Sequence, residues 1–343
     1  MSVIDWVEKG YIPDALTRIG IRHLCKQRLK KEIKNHAAEG ALDRLLQSMA
    51  TSPLALNTED ANHQHYEVPT AFYDYTLGEH KKYSCCLFDE HVHNLSTAEE
   101  HMLALSVERA GVEDGMDILE LGCGWGSLTL WLGKHFPNAR ITAVSNSTTQ
   151  KAYIDDKAGQ QGIENINVLT CDMNDFSSDE TYDRVLSIEM FEHMRNYELL
   201  FERIAGWLKP QGKLWFHIFC HRTLPYFFQD DGEADWMARN FFTGGIMPSW
   251  DLPTQIKSPL ALENRWAVNG THYGKTSRAW LNLLDDNLES IRKVFDESDD
   301  PTDTTVLINR WRMFFMAVEE LFAYNQGREW FVGHYLFGHK NQG

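Results

Sequence analysis

No uncharged apolar run in the 343 residues approaches the roughly 18 to 20 that a membrane-spanning helix requires, so stable insertion in a bilayer is not expected. The opening MSVIDWVEKG lacks the basic-then-apolar layout of a secretory leader. Cysteine is sparse: Cys25, Cys85, Cys86, Cys123, Cys171 and Cys220 show no disulfide framework. Most of them sit in apolar or glycine-rich runs, where a thiol packs as a small hydrophobe. A reducing, cytoplasmic setting follows as the expectation. Positive charge is also short, with 33 Lys and Arg against 49 Asp and Glu. The resulting formal charge of −16 repels nucleic acid and anionic bilayers as bulk partners. A neutral or cationic small molecule remains as the expected partner, and a homodimer is compatible with the sequence. Neither internal repeats nor low-complexity segments are present.

One stretch runs against the overall charge. From Arg18 to Lys34, RIGIRHLCKQRLKKEIK is basic with interleaved apolar residues. Such a pattern suits a membrane-touching or partner-binding amphipathic helix, or more simply a bundle helix with one solvated face. The first fifty residues read as helices throughout. After a polar loop and a capped helix in STAEEHMLALSVERAG, strands and helices alternate. MDILEL, RITAVS, INVLTC, YDRVLSIE and GKLWFHIF supply five strands with intervening helical patterns, which predicts βαβ crossovers and a buried, mainly parallel sheet. EWFVGHYLFGHK offers a last strand. The expected division is an N-terminal helical region at 1–60 and a Rossmann-like core at 61–219. An aromatic- and glycine-rich cap follows at 220–300, then a C-terminal helix and strand at 301–343 that complete the core.

ELGCGWGS, at 120–127, follows a strand and opens a helix, the setting in which a glycine turn brings backbone close to a ligand at a helix N-terminus. No Gly-Lys-Ser/Thr follows, so it is not a phosphate-binding Walker loop. Its alternate glycines also depart from the dinucleotide pattern G-x-G-x-x-G. DILELGCGWGS resembles the nucleotide-binding turn of class I S-adenosylmethionine (SAM) methyltransferases. YSCCLF, AVSNSTTQ, CDMNDF, YDRVLSIEMFEHM and FFTGGIMP narrow the resemblance to the coclaurine N-methyltransferase group, a branch of the cyclopropane-fatty-acid synthase superfamily. The likeness covers roughly residues 60 to 343.

This resemblance implies the class I SAM methyltransferase fold, SAM as cofactor and S-adenosylhomocysteine (SAH) as product. It implies that Tyr83 and Ser84 meet the methionine carboxylate and that Gly122 and Gly124 lie under the cofactor. Asn146 and Gln150 would reach the ribose or neighbouring groups, and Ser145-Asn146 stands where an acidic ligand is commoner. Asp172 would accept from the adenine amino group with Met173 against the ring, and Glu120 and Ile188 would complete the site.

SIEMFEHM places Glu189, Glu192 and His193 at the end of the fourth strand. If a helix begins there they share one face of one turn. A simpler arrangement has His193 capping the helix and the glutamates paired with Arg195 or Lys209. An aliphatic amine is mostly ammonium at neutral pH and must lose a proton before it can attack a methyl group. Neighbouring buried carboxylates attract the cation and can take that proton. The residues matching Glu189, Glu192 and His193 have that role in the alkaloid enzymes. Tyr66, Phe227, Trp236, Phe241 and Tyr273 are the candidate walls of the acceptor pocket.

Two rival chemistries remain. Cyclopropane synthases use a bound bicarbonate, whose ligands match Cys85, Glu192 and His217 here. A fourth ligand, a tyrosine, falls where this chain has Phe314 and Phe315, and the residue before Met190, usually glycine in those synthases, is Glu189. Methylation of a small thiol would use the same carboxylates. HIFCH does not form a metal site, because strand alternation turns Cys220 away from His217 and His221.

Overall fold

The computed structural model describes residues 2–56, 68–229 and 236–340. Three helices open the chain: α1 (Val3–Glu8), α2 (Asp14–His36) and α3 (Ala41–Ala50). Next come α4 (Thr70–Thr76) and α5 (Leu95–Ala110), the latter capped by Asn94, which accepts from the Thr97 amide. The alternating part is β1 (Asp117–Leu121), α6 (Ser127–His135), β2 (Arg140–Ser145), α7 (Thr148–Gln161), β3 (Ile166–Thr170), β4 (Tyr182–Ile188), α8 (Tyr197–Trp207) and β5 (Leu208–His221). The remainder comprises β6 (Tyr226–Phe227), α9 (Trp236–Phe241), β7 (Ile246–Met247), α10 (Leu252–Gln255), β8 (Leu260–Val268), α11 (Gly270–Asp286), α12 (Leu288–Asp296), α13 (Thr304–Ala323) and β9 (Trp330–His339).

Seven strands form one sheet in the order β3-β2-β1-β4-β5-β9-β8. The first five are mutually parallel, while β9 runs antiparallel to both of its neighbours. Ile118, Leu119, Val185, Leu186, Leu214 and Phe216 are fully buried, as central strands covered on both faces require. β8 was not separable from the cap in the sequence. LALENRWAV mixes apolar with charged residues because it lies at the sheet edge, and its register slips between Leu262 and Asn264. The 220–300 stretch therefore contributes an edge strand to the sheet as well as the β6–β7 ribbon over it.

The basic helix α2 is a bundle helix. Arg18 bridges Glu319 at 2.9 Å and Glu320 at 3.0 Å on α13, and Arg22 also reaches Glu320 at 3.0 Å. α1 docks on the same helix, where the Arg310 guanidinium meets Glu8 at 3.0 Å. The N-terminal helices thus back α13, whose other faces carry Trp311, Phe314 and Phe315 into the core around α4, α9 and α11. Among the described residues no helix is long and apolar enough to cross a membrane.

β9, α11 and α13 meet at Gly270. A Cβ there would strike the Trp330 carbonyl and come within 2.5 Å of the Phe322 carbonyl, both backbone atoms that cannot swing aside. Gly270→Ala is expected to cost about 3 kcal/mol, the upper part of the usual overpacking range. Chemical denaturation checks this; a loss within experimental error would mean that α11 shifts freely against β9.

Candidate active site

The sheet order reverses between β1 and β4. β1 turns to β2 on one side and β4 to β5 on the other, which opens a crevice beyond their carboxyl ends. Gly122 forms its floor with φ +76°, and a Cβ there would stand 2.6 Å from Met190 Cγ. Only glycine permits that close crossing. Tyr83, Ser84, Glu120, Gly122, Gly124, Asn146, Gln150, Asp172, Met173 and Ile188 all line this crevice. The residues that the resemblance assigned to the cofactor therefore converge on one cavity.

Its polar groups are arranged to receive a ligand. Ser145 donates to Gln150 Oε1 at 2.6 Å, which leaves the buried Gln150 Nε2 without a partner among the described residues. Ser127 Oγ and Trp125 Nε1 are likewise buried and unmatched. Buried donors of this kind cost stability unless something accepts from them, and the hydroxyls and carboxylate of SAM supply acceptors. Asp172 accepts from the Asn174 amide at 2.7 Å, which orients its carboxyl group at the crevice. Glu120 accepts from Thr129 at 2.5 Å, and burial pushes its pKa up to about 8. Lys82 is buried and donates to Ser84 at 2.5 Å and to the Cys85 carbonyl at 2.8 Å. It was not picked out in the sequence, since a lysine beside YSCC reads as solvated. Among the described residues no group of His, Cys, Asp and Glu could hold a metal.

The acidic cluster is not one helical face. Glu189 takes the left-handed conformation, φ +49°, and only Phe191–His193 forms a short 3-10 turn. That conformation costs about 1–3 kcal/mol in a non-glycine residue, and the carboxylate's bonds offset it. Glu189 Oε1 accepts from the Cys85 amide and from His217, each at 3.0 Å, and Oε2 accepts from the Tyr273 hydroxyl at 2.6 Å. Burial raises its pKa, while the Lys82 ammonium, the Cys85 amide and the Tyr273 hydroxyl oppose that rise.

Glu192 turns inward instead and does not line the crevice. Its Oε1 accepts from the Phe219 amide at 2.7 Å, and its Oε2 has no partner among the described residues. Burial, and then the neighbouring Glu189 charge, push its pKa well above the carboxylate range. Both carboxyl groups are pushed upward by burial, Glu192 the more strongly, while Glu189 has the larger set of donors. His193 faces the crevice and stacks on Phe242, with ring centroids 5.9 Å apart.

The expected aromatic walls need correction. Tyr273 lines the crevice, but Phe227, Trp236 and Phe241 lie behind it. Phe227 lies under the Arg195 guanidinium at 3.7 Å, the Trp236 indole donates to Glu8 at 3.1 Å, and Phe241 stacks on Phe314 at 4.1 Å. Phe219, Phe242 and Phe314 present the apolar surface instead. Tyr66 lies outside the described residues.

The doubly wound sheet, the glycine turn and the unmatched donors define a class I SAM-dependent methyltransferase, with SAM as its cofactor. The model of the mycolic acid cyclopropane synthetase family matches residues 55–328, and the chain belongs to that family. It is 36% identical to an (S)-coclaurine N-methyltransferase of Thalictrum flavum subsp. glaucum over 99% of this chain and 96% of that one. A crystal structure of coclaurine N-methyltransferase bound to N-methylheliamine and SAH superposes with a TM-score of 0.91 at 34% identity, covering 98% of both chains. The cyclopropane synthase MmaA2 of Mycobacterium tuberculosis shares the fold at 21% identity, with a TM-score of 0.70 over 83% of this chain and 99% of that one.

Glu120 has a consequence for stability. Folded, it holds a proton until about pH 8, whereas the unfolded chain releases it near 4.5. The folded state binds more protons in that window, so this group lowers stability as pH rises through it. Glu120→Gln keeps an acceptor for Thr129 and removes the titration. Calorimetry should find its melting temperature gaining on wild type between about pH 5 and pH 9; a constant difference would mean that Glu120 is ionised in the fold.

Proposed function

We propose that this methyltransferase acts on the nitrogen of a small, cyclic or aromatic amine. One observation carries the reading: a buried carboxylate, Glu189, held at the crevice wall by three donors. A carboxylate has about four lone-pair sites, and three are filled, so one remains for a substrate ammonium. The relatives named coclaurine N-methyltransferase support the amine as substrate class, as does the net charge of −16, which favours a cation.

Glu189 would bind the ammonium, and Phe219, Phe242, Phe314 and Tyr273 would enclose its apolar body and exclude water. The ammonium proton passes to Glu189 or to His193, the crevice-facing imidazole. Burial raises both carboxyl groups, and the upward shift at Glu189 suits a group that takes a proton from an ammonium. Bound SAM supplies an electrophilic methyl carbon: the nitrogen lone pair forms the N–C bond, and the S–C electrons leave with sulfur to give SAH. The cap at 220–300 would select the acceptor, in keeping with its share of the wall.

The lipid reaction is disfavoured by the same bonds. Cys85 and His217, which match bicarbonate ligands in the cyclopropane synthases, are here bonded to the Glu189 carboxylate, and Phe314 offers no hydroxyl.

Methyl transfer from labelled SAM should be measured with cyclic amines, small thiols and unsaturated phospholipid. Label is expected on amine nitrogen; label confined to sulfur or lipid would overturn the reading. Glu189→Gln should lower kcat/KM for the amine by about 10²–10⁴-fold, the usual range for loss of an acid–base group. Its affinity for SAH, measured by calorimetry, should stay within about threefold of wild type, because the cofactor-lining residues are unchanged.

A further inference from the structure

A line of hydrogen bonds leaves Glu189 on the side away from the crevice. Cross-strand register aligns His217 of β5 with His334 of β9, and His334 with Trp266 of β8. Such neighbours share a face of the sheet, and α5 covers this face with Arg109 in its last turn. Arg109 donates to His334 Nδ1 at 2.9 Å. His334 Nε2 lies 3.1 Å from His217 Nδ1, and His217 Nε2 lies 3.0 Å from Glu189 Oε1. Both imidazoles are fully buried, and the Arg109 guanidinium lies over the Trp266 ring at 5.2 Å.

The end group fixes every proton in the line. Guanidinium has donors only, so His334 Nδ1 must accept and its proton must sit on Nε2. His217 Nδ1 must then accept, and its proton sits on Nε2, aimed at the carboxylate. Burial keeps both rings neutral, and the Lys82 and Arg109 charges push the same way.

We propose that Arg109 is a positioning residue for methyl transfer: as terminal donor of the line Arg109–His334–His217–Glu189, it locks both histidines in one tautomer and holds Glu189 as a charged acceptor for the substrate ammonium. This rests on the amine reading above. The line also has a direction. Every N–H points toward Glu189, and Arg109 has no acceptor to receive a proton at the far end. A proton taken from substrate therefore cannot leave by this path and must return through the crevice, past His193.

Other groups facing Glu189 act with the relay. Lys82 and Cys85 lie on the loop before α5, Tyr273 on α11, and Glu192 and His193 on the following turn. Trp215 packs against His334 at 4.9 Å, and Glu108 is the charged neighbour of Arg109.

Arg109→Met, Arg109→Lys and wild type would be compared by three readouts. Long-range 1H–15N correlation on 15N-histidine protein should show His217 and His334 as the Nε2–H tautomer in wild type and Arg109→Lys, and as a mixture in Arg109→Met. In Arg109→Met the acidic limb of kcat/KM for the amine should move to higher pH by about one unit, with KM raised about tenfold near neutrality. Arg109→Lys should restore most of both, and SAH affinity should be equal in all three. Wild-type tautomers and pH profile in Arg109→Met would overturn the proposal, as would an equal loss of SAH binding and activity that Lys does not rescue. If wild type methylates no amine, the functional reading fails, while the tautomer spectra still decide whether Arg109 sets the line.

Discussion

A carboxylate taken out of water must be matched by donors, and at Glu189 this requirement governs the architecture. An unpaired buried charge costs several kcal/mol, about as much as the net stability of many domains. The three donors come from distant parts of the chain: an amide at Cys85, an imidazole on β5 and a hydroxyl on α11. The loop must therefore be fixed, β5 must be in register and α11 must be docked before the charge is satisfied. The loop is fixed by a second buried carboxyl group, since Glu99 accepts from the amides of Gly78, His80 and Lys82 at 3.1, 2.8 and 3.2 Å. Burial pushes Glu99 up to about 7, and those amide bonds pull against it.

The left-handed backbone at Glu189 follows from the same requirement. The Glu189 amide donates to the His217 carbonyl at 2.8 Å, continuing the β4–β5 pairing by one residue, and the chain then turns back into the 3-10 turn. A positive φ is readily taken by glycine, the residue usual at this position in cyclopropane synthases. Here a side chain is accepted at the cost of strain and provides an acceptor within the protein. By resemblance, the synthases recruit a diffusible anion to the same neighbourhood.

Local features were legible in the sequence and long-range phases were not. The glycine turn could be read because strand, turn and helix lie within twenty residues and each carries its own signal, which placed Gly122 and Gly124 at the crevice. The parallel strands were legible from short apolar-rich runs that alternate with helical patterns. β8 was not, because LALENRWAV carries Glu263, Asn264 and Arg265 in mid-strand, which breaks its apolar pattern. Among the aromatics, the sequence offers Phe241 and Phe242 on equal terms. Only the end of α9 at Phe241 decides that the first turns toward Phe314 and the second toward His193. The direction of the Glu192 side chain was illegible for a related reason. An α-helix starting at Glu189 would have placed it beside Glu189, whereas the left-handed residue and 3-10 turn rotate it inward.

That rotation accounts for two carboxyl groups where one charge suffices. Were both ionised at this spacing and burial, each would raise the other's pKa and neither would be a steady anion. Glu192 accepts from the Phe219 amide, its Oε2 has no partner among the described residues, and its carboxyl group is pushed up more strongly than that of Glu189. Glu189, with the donors, remains the attractive group for a cation. The buried ammonium of Lys82 limits this attraction: it also faces Glu189 and offsets part of its charge before substrate arrives. Lys82 is bonded to Ser84, in the segment expected to meet the cofactor's carboxylate. Lys82 and Glu189 thus share one low-dielectric pocket, and a charge placed beside either is felt by the other.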